Sequence, residues 1–200
     1  QRFGLQFYGD FGYWAKGKKE PAATDSFALG MLNMIANSKI GEDTLAFFEL
    51  VYEYEEPDAQ GNQASVVDLE RIFVKHDFND YVTLKAGREH TPFGYWNTAY
   101  HHGHYLATPM DRPLMFNFED RSPAVLPIHL VGLEASGRWP EAGLSYVGYV
   151  ANGRGKLREQ VQAVEDHNEN KAVGFRVEER PDQFLEVGWL EGFKVGLSGY

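Results

Sequence analysis

Residues 3–14 read FGLQFYGDFGYW. The odd positions carry Phe3, Leu5, Phe7, Gly9, Phe11 and Tyr13, and the even ones Gly4, Gln6, Tyr8, Asp10, Gly12 and Trp14. A pleated strand sends these sets to opposite faces. One face is apolar or aromatic; the other mixes Gly, Gln and Asp. The scheme recurs downstream. Ala46, Phe48, Leu50, Tyr52 and Tyr54 alternate with Glu49, Glu53 and Glu55, which share their face with Phe47 and Val51. Val131, Leu133, Ala135 and Trp139 oppose Gly132, Glu134, Ser136 and Arg138. Val173, Phe175 and Val177 oppose Gly174, Arg176 and Glu178, and Phe193, Val195 and Leu197 oppose Lys194, Gly196 and Ser198.

Working outward, the pattern predicts about nine strands. They lie near Arg2–Ala15, Phe27–Asn37, Thr44–Glu55, Val66–Phe78, Tyr81–Phe93, Leu130–Trp139, Gly143–Asn152, Lys171–Glu179 and Leu190–Tyr200. Val66–Phe78 carries charge on both faces, and Gly143–Asn152 is apolar on both. Short turn-like links (Ser38–Asp43, Asn79–Asp80, Pro140–Ala142) alternate with longer polar ones. The longest connection, Tyr95–His129, lacks strong alternation and is too long for a routine connector. It is expected to fold inward or to pack over one end.

The chain has 200 residues, a formal net charge of −10 and no cysteine. Disulfides, thiolate metal sites and a Cys nucleophile are therefore excluded. The acidic balance argues against a nucleic-acid partner, which needs a basic face. No segment approaches the run of about 18 apolar residues that a membrane-spanning helix requires. A β-barrel escapes that criterion, because it crosses with alternating strands of roughly 10 residues.

Three stretches carry a family resemblance: LERIFVKHDFND (69–80), LKAGREHTPFGYWN (84–97) and YHHGHYLATPMDRPLMFNFED (100–120). Together they resemble a bacterial outer-membrane porin-like family of the broad kind that includes phosphate-selective porins, in an uncharacterised branch. The resemblance covers Val66 to Arg154. It implies an all-β, antiparallel up-and-down transmembrane β-barrel in the outer membrane of a Gram-negative bacterium. It also implies passive diffusion of small hydrophilic solutes or ions through a water-filled channel. Outer-membrane lipid and a homotrimer are the partners this reading brings. Residues 1–200 are then the N-terminal part of one barrel. The strand count is odd where bacterial barrels have even numbers, and no charged-then-apolar leader opens the chain.

The pore-lining or constriction candidates are Glu49, Glu53, Glu134, Arg138, Arg176 and Glu178 on the strands. In the long loop they are His101, His102, His104, Asp111, Arg112, Glu119, Asp120 and Arg121. Charge of both signs in a lumen orients polar solutes; the same loop charges also form Arg–carboxylate pairs. The acidic excess points to weak cation preference. Imidazoles are common metal ligands, but His101, His102 and His104 have neither helical His-x-x-x-His spacing nor a facial triad. They are expected to hydrogen-bond or stack, so no metal and no cofactor is expected. There is no nucleophile elbow, phosphate loop or His-Glu-x-x-His motif, and no enzymatic activity is expected. Two other readings fit the alternation: a soluble all-β carbohydrate-binding module, and a non-conducting barrel that scaffolds a partner protein.

Overall fold

The computed structural model describes residues 2–14, 26–54, 65–101, 113–116, 126–153 and 169–200. Nine strands form one antiparallel sheet in the order β1 to β9. They are β1 (Arg2–Trp14), β2 (Ser26–Ile40), β3 (Thr44–Tyr54), β4 (Ser65–Asn79) and β5 (Val82–His90), then β6 (His129–Trp139), β7 (Leu144–Asn152), β8 (Lys171–Glu179) and β9 (Val195–Gly199). One short helix, α1 (Trp96–Ala99), follows β5. Each strand pairs with its sequence neighbour, as expected where aromatic and β-branched residues alternate with polar ones between short turns.

Of three register slips in the sheet, two explain where the alternation breaks. In β4, Leu50 pairs with Leu69 and Glu49 with Arg71, so Glu70 is the extra residue of a bulge. The bulge shifts the phase by one. Val67 and Leu69 before it, and Ile72 and Val74 after it, share one face; Asp68, Arg71 and Lys75 share the other. The charges on both faces of this strand in the sequence are thus one polar face read across a bulge. In β2 the slip lies opposite Asp10, whose carboxylate accepts the Met31 N–H at 3.1 Å.

The turns follow local chemistry. Asn79 Oδ1 accepts the backbone N–H groups of Tyr81 and Val82, both at 2.9 Å, closing the β4–β5 hairpin. The β6–β7 link is a 3-10 turn, Pro140–Ala142, ending at Gly143 with φ +62°. A Cβ there would lie 2.4 Å from Arg180 O, so only glycine fits. The last strand is shorter than expected: Gly188–Leu190 is a 3-10 turn and β9 starts at Val195.

The sheet is inside-out relative to a water-facing domain. Phe3, Phe11, Leu133 and Leu197 stand exposed on one face. Asn33, Glu49, Glu134 and Tyr149 are buried on the other. Where β5 ends and β6 begins, the chain crosses this polar face as a strap. The Gly94 N–H donates to Ser198 Oγ at 3.0 Å, and Arg176 donates to Gly94 O at 3.1 Å and to Thr98 Oγ1 at 2.9 Å. The strap therefore ties the end of β5 to β8 and β9.

The architecture corrects several expectations. Among the described residues β1 and β9 pair on one side only and form two open edges. The fold is an open nine-stranded antiparallel sheet, not a closed transmembrane β-barrel, so the porin-like resemblance does not extend to its fold. An open sheet encloses no lumen, and the diffusion channel for solutes or ions falls with the closure it required. Lipid-facing edges leave N–H and C=O groups unpaired at several kcal/mol each. Outer-membrane localisation, outer-membrane lipid as a partner and the porin homotrimer lose their basis for the same reason. Alternation specifies which side chains share a face; it does not specify whether the two edge strands meet.

Candidate functional site

The polar face gathers the chemistry. Over β4–β8 it forms a cleft of about 790 Å³. Four carboxylates (Asp43, Asp77, Asp80, Glu178) and three cations (Lys75, Arg138, Arg176) line it, with the hydroxyls of Thr83, Ser136 and Ser145. The strands preorganise these groups. The Thr83 hydroxyl donates to Asp77 at 2.7 Å, and Lys75 pairs with Asp77 at 2.9 Å. These two contacts hold the Asp77 carboxyl below the usual range. Arg176 pairs with Glu178 at 2.7 Å. Arg138 is exposed and lies 3.8 Å from Asp80.

Deeper on the same face sits a carboxylate–ammonium cluster. Lys85 pairs with Glu89 at 2.5 Å and with Glu134 at 2.9 Å. Lys85 and Glu89 lie two pleats apart on one strand, with Gly87 between them. A Cβ at Gly87 would lie 2.6 Å from Phe73 Cα, and its φ is +141°. The missing side chain leaves the lysine a path to Glu89. Burial pushes the Glu89 carboxyl up to about 8, with help from its hydrogen bond to Glu134 and against the pull of Lys85. Burial also acts on Glu134, but the Glu89 hydrogen bond and the Lys85 charge outweigh it and lower that carboxyl. The pair shares one proton at neutral pH. Burial opposes the charge on Lys85, yet its two carboxylate partners hold its pKa above the ordinary value.

No protein-family model matches the chain, and no curated protein matches it.

A second cluster lies where the long connection leaves and rejoins the sheet. His90, the last residue of β5, is in register with His129, the first of β6. Glu70, the bulge residue of β4, sits beside them. His101 enters from the strap just after α1. The Nε2 atoms of His90, His101 and His129 lie 3.0, 2.7 and 2.6 Å from Glu70 Oε1. All four side chains are nearly inaccessible, and their ligand atoms lie within 4.8 Å of one another. Burial holds the His90 imidazole well below its usual pKa; the Glu70 hydrogen bond works against this, and the Arg71 charge adds to it. Among the described residues this is the set able to hold a metal ion.

The candidates named from sequence distribute as follows. Glu49, Glu134, Arg138, Arg176 and Glu178 stand on the polar face, where Glu49 is buried against Arg71 at 2.5 Å. Glu53 shares that parity and is exposed. His101 joins the histidine cluster. His102, His104, Asp111, Arg112, Glu119, Asp120 and Arg121 lie outside the described residues. Glu70, His90 and His129 were not among the candidates. Two signals in the sequence mark them: His90 and His129 stand at the two feet of the longest connection, and Glu70 stands at the break in alternation.

Proposed function

We propose that the polar face is a binding surface for a small, neutral, polyhydroxylated ligand of the carbohydrate class, held in the cleft over β4–β8. The observation that carries the reading is the lining itself. Its charges nearly cancel, four carboxylates against three cations. A strongly charged ligand would meet as much repulsion as attraction. A neutral polyol, by contrast, can donate to carboxylates and accept from Arg, Lys and hydroxyl groups along one wall. The volume falls within the range of small-molecule sites, roughly 300–1,000 Å³. The proposed role is recognition without bond-making.

The melting temperature reports ligand binding in the cleft. Titration with neutral mono- and oligosaccharides is expected to raise it saturably. Replacing Arg176 by Ala should weaken the response about tenfold, the loss of one charged hydrogen bond. Inorganic phosphate should produce no comparable shift. Saturable phosphate binding with no response to any neutral sugar would overturn the proposal.

A further inference from the structure

We propose that Glu70, His90, His101 and His129 form a four-coordinate binding site for a divalent transition-metal ion of the zinc type. The inference starts from a side chain that is not a ligand. Both amide protons of Asn97 are committed: Nδ2 donates to Thr91 O and to Ile128 O, each at 2.9 Å. Its Oδ1, an acceptor only, faces His101 Nδ1 at 3.1 Å. The proton of that hydrogen bond must therefore sit on Nδ1. In a neutral imidazole this leaves Nε2 with a lone pair, and Nε2 is the atom that faces Glu70 Oε1 at 2.7 Å.

Two lone pairs at that distance repel unless a cation lies between them. His129 and His90 aim the same nitrogen at the same oxygen, at 2.6 and 3.0 Å. One carboxylate oxygen has two lone pairs, and it cannot serve three ring nitrogens with good geometry. A metal ion satisfies all four groups at once. Protonating His101 instead would place an imidazolium against two more imidazoles in a site closed to water, where charge is costly.

The donor set selects the ion. Three imidazole nitrogens and one carboxylate oxygen, with no thiolate anywhere in the chain, suit zinc and its first-row neighbours rather than soft or alkaline-earth ions. Zn–N and Zn–O distances near 2.0–2.1 Å imply donor–donor edges of about 3.3 Å in a tetrahedron. The three Glu70–imidazole contacts, at 2.6–3.0 Å, are shorter than this edge, and all four ligand atoms lie within 4.8 Å of one another, so uptake moves the carboxylate outward and draws the rings around the ion. Three ligands stand on adjacent strands. The Glu70 backbone is held from behind by Arg88 Nε, which donates to Glu70 O at 3.1 Å. Asn97 orients the fourth ligand, as outer-shell partners of metal-bound histidines do. The ion would pin the strap to β4–β6, opposite its anchor on Arg176 and Ser198.

Equilibrium dialysis of the full chain against zinc chloride tests this. The expected result is one zinc per chain, with affinity lowered at least about 100-fold in His101→Ala and in Glu70→Gln. Asn97→Ala, which removes no ligand, should lose about 10–100-fold. His76→Ala, whose ring is bonded to Thr44 outside the cluster, should match the parent. Far-ultraviolet circular dichroism checks that each variant keeps its strands. If a ligand variant loses them, Asn97→Ala carries the test. Absence of zinc uptake by the parent would overturn the proposal, as would equal affinity in the Asn97, His101 and His76 variants.

Discussion

Two buried carboxylate clusters stand in this fold, and they solve burial differently. At Glu89 and Glu134 the protein supplies its own cation, Lys85, and the surplus charge is removed by a shared proton. At Glu70 it supplies three ring nitrogens, one of which the Asn97 amide fixes as a lone pair aimed at the carboxylate. The first cluster holds its own counter-charge. The second takes its cation from outside. Both need rigid strands, yet only the second recruits a residue from the strap, so only the second couples an external ion to the position of a connection.

Breaking the first cluster should produce the largest effect. Lys85→Met leaves Glu134 as an uncompensated charge, and loss of one partner from a buried pair costs about 3–5 kcal/mol. The lower end, about 3 kcal/mol, is expected because Glu89 already carries a proton. Urea denaturation at neutral pH measures it, and an unchanged midpoint would mean that the ammonium is dispensable. Next comes the second cluster. Zinc at a hundred times its dissociation constant should stabilise the chain by about 2.7 kcal/mol by mass action. The same excess of magnesium should leave the midpoint where it was.

The smallest effect, taken per pH unit, sharpens the contrast through pH. Glu89 has a raised pKa in the fold, so the folded state keeps a proton that the unfolded chain releases above 4.5. Its contribution is present below 4.5 and is lost as pH rises through that value towards about 8. Within that window stability should fall by up to about 1.4 kcal/mol per pH unit. Glu89→Gln, which cannot ionise, should flatten the dependence. Identical pH profiles for the variant and the parent would show that the proton is not held where we place it.

Much of the sheet was legible in the sequence. The alternation of residues 3–14 and 171–179 placed β1 and β8 almost to the residue, because one face of each is apolar throughout. The phase break in Val67, Leu69, Ile72 and Val74 was also visible, although it read as ambiguous orientation until the register showed Glu70 as a bulge. Closure was not legible. Facing patterns are local, whereas the meeting of β1 and β9 depends on curvature summed over every strand. The histidine cluster was hidden for a related reason. His101 stood out through its neighbours His102 and His104. Its partners in the fold, His90 and His129, are brought together only by the pairing of β5 with β6 across the long connection.

The broad apolar face poses a separate physical demand. It lies opposite the cleft and the Lys85 cluster, a segregation that follows from the period of two that opened the sequence.

X-ray absorption at the zinc edge on the loaded chain tests the central claim most directly. The account predicts a first shell of four light atoms at about 2.0–2.1 Å, with the outer-shell scattering of three imidazole rings. A shell of water oxygens without imidazole scattering would contradict it.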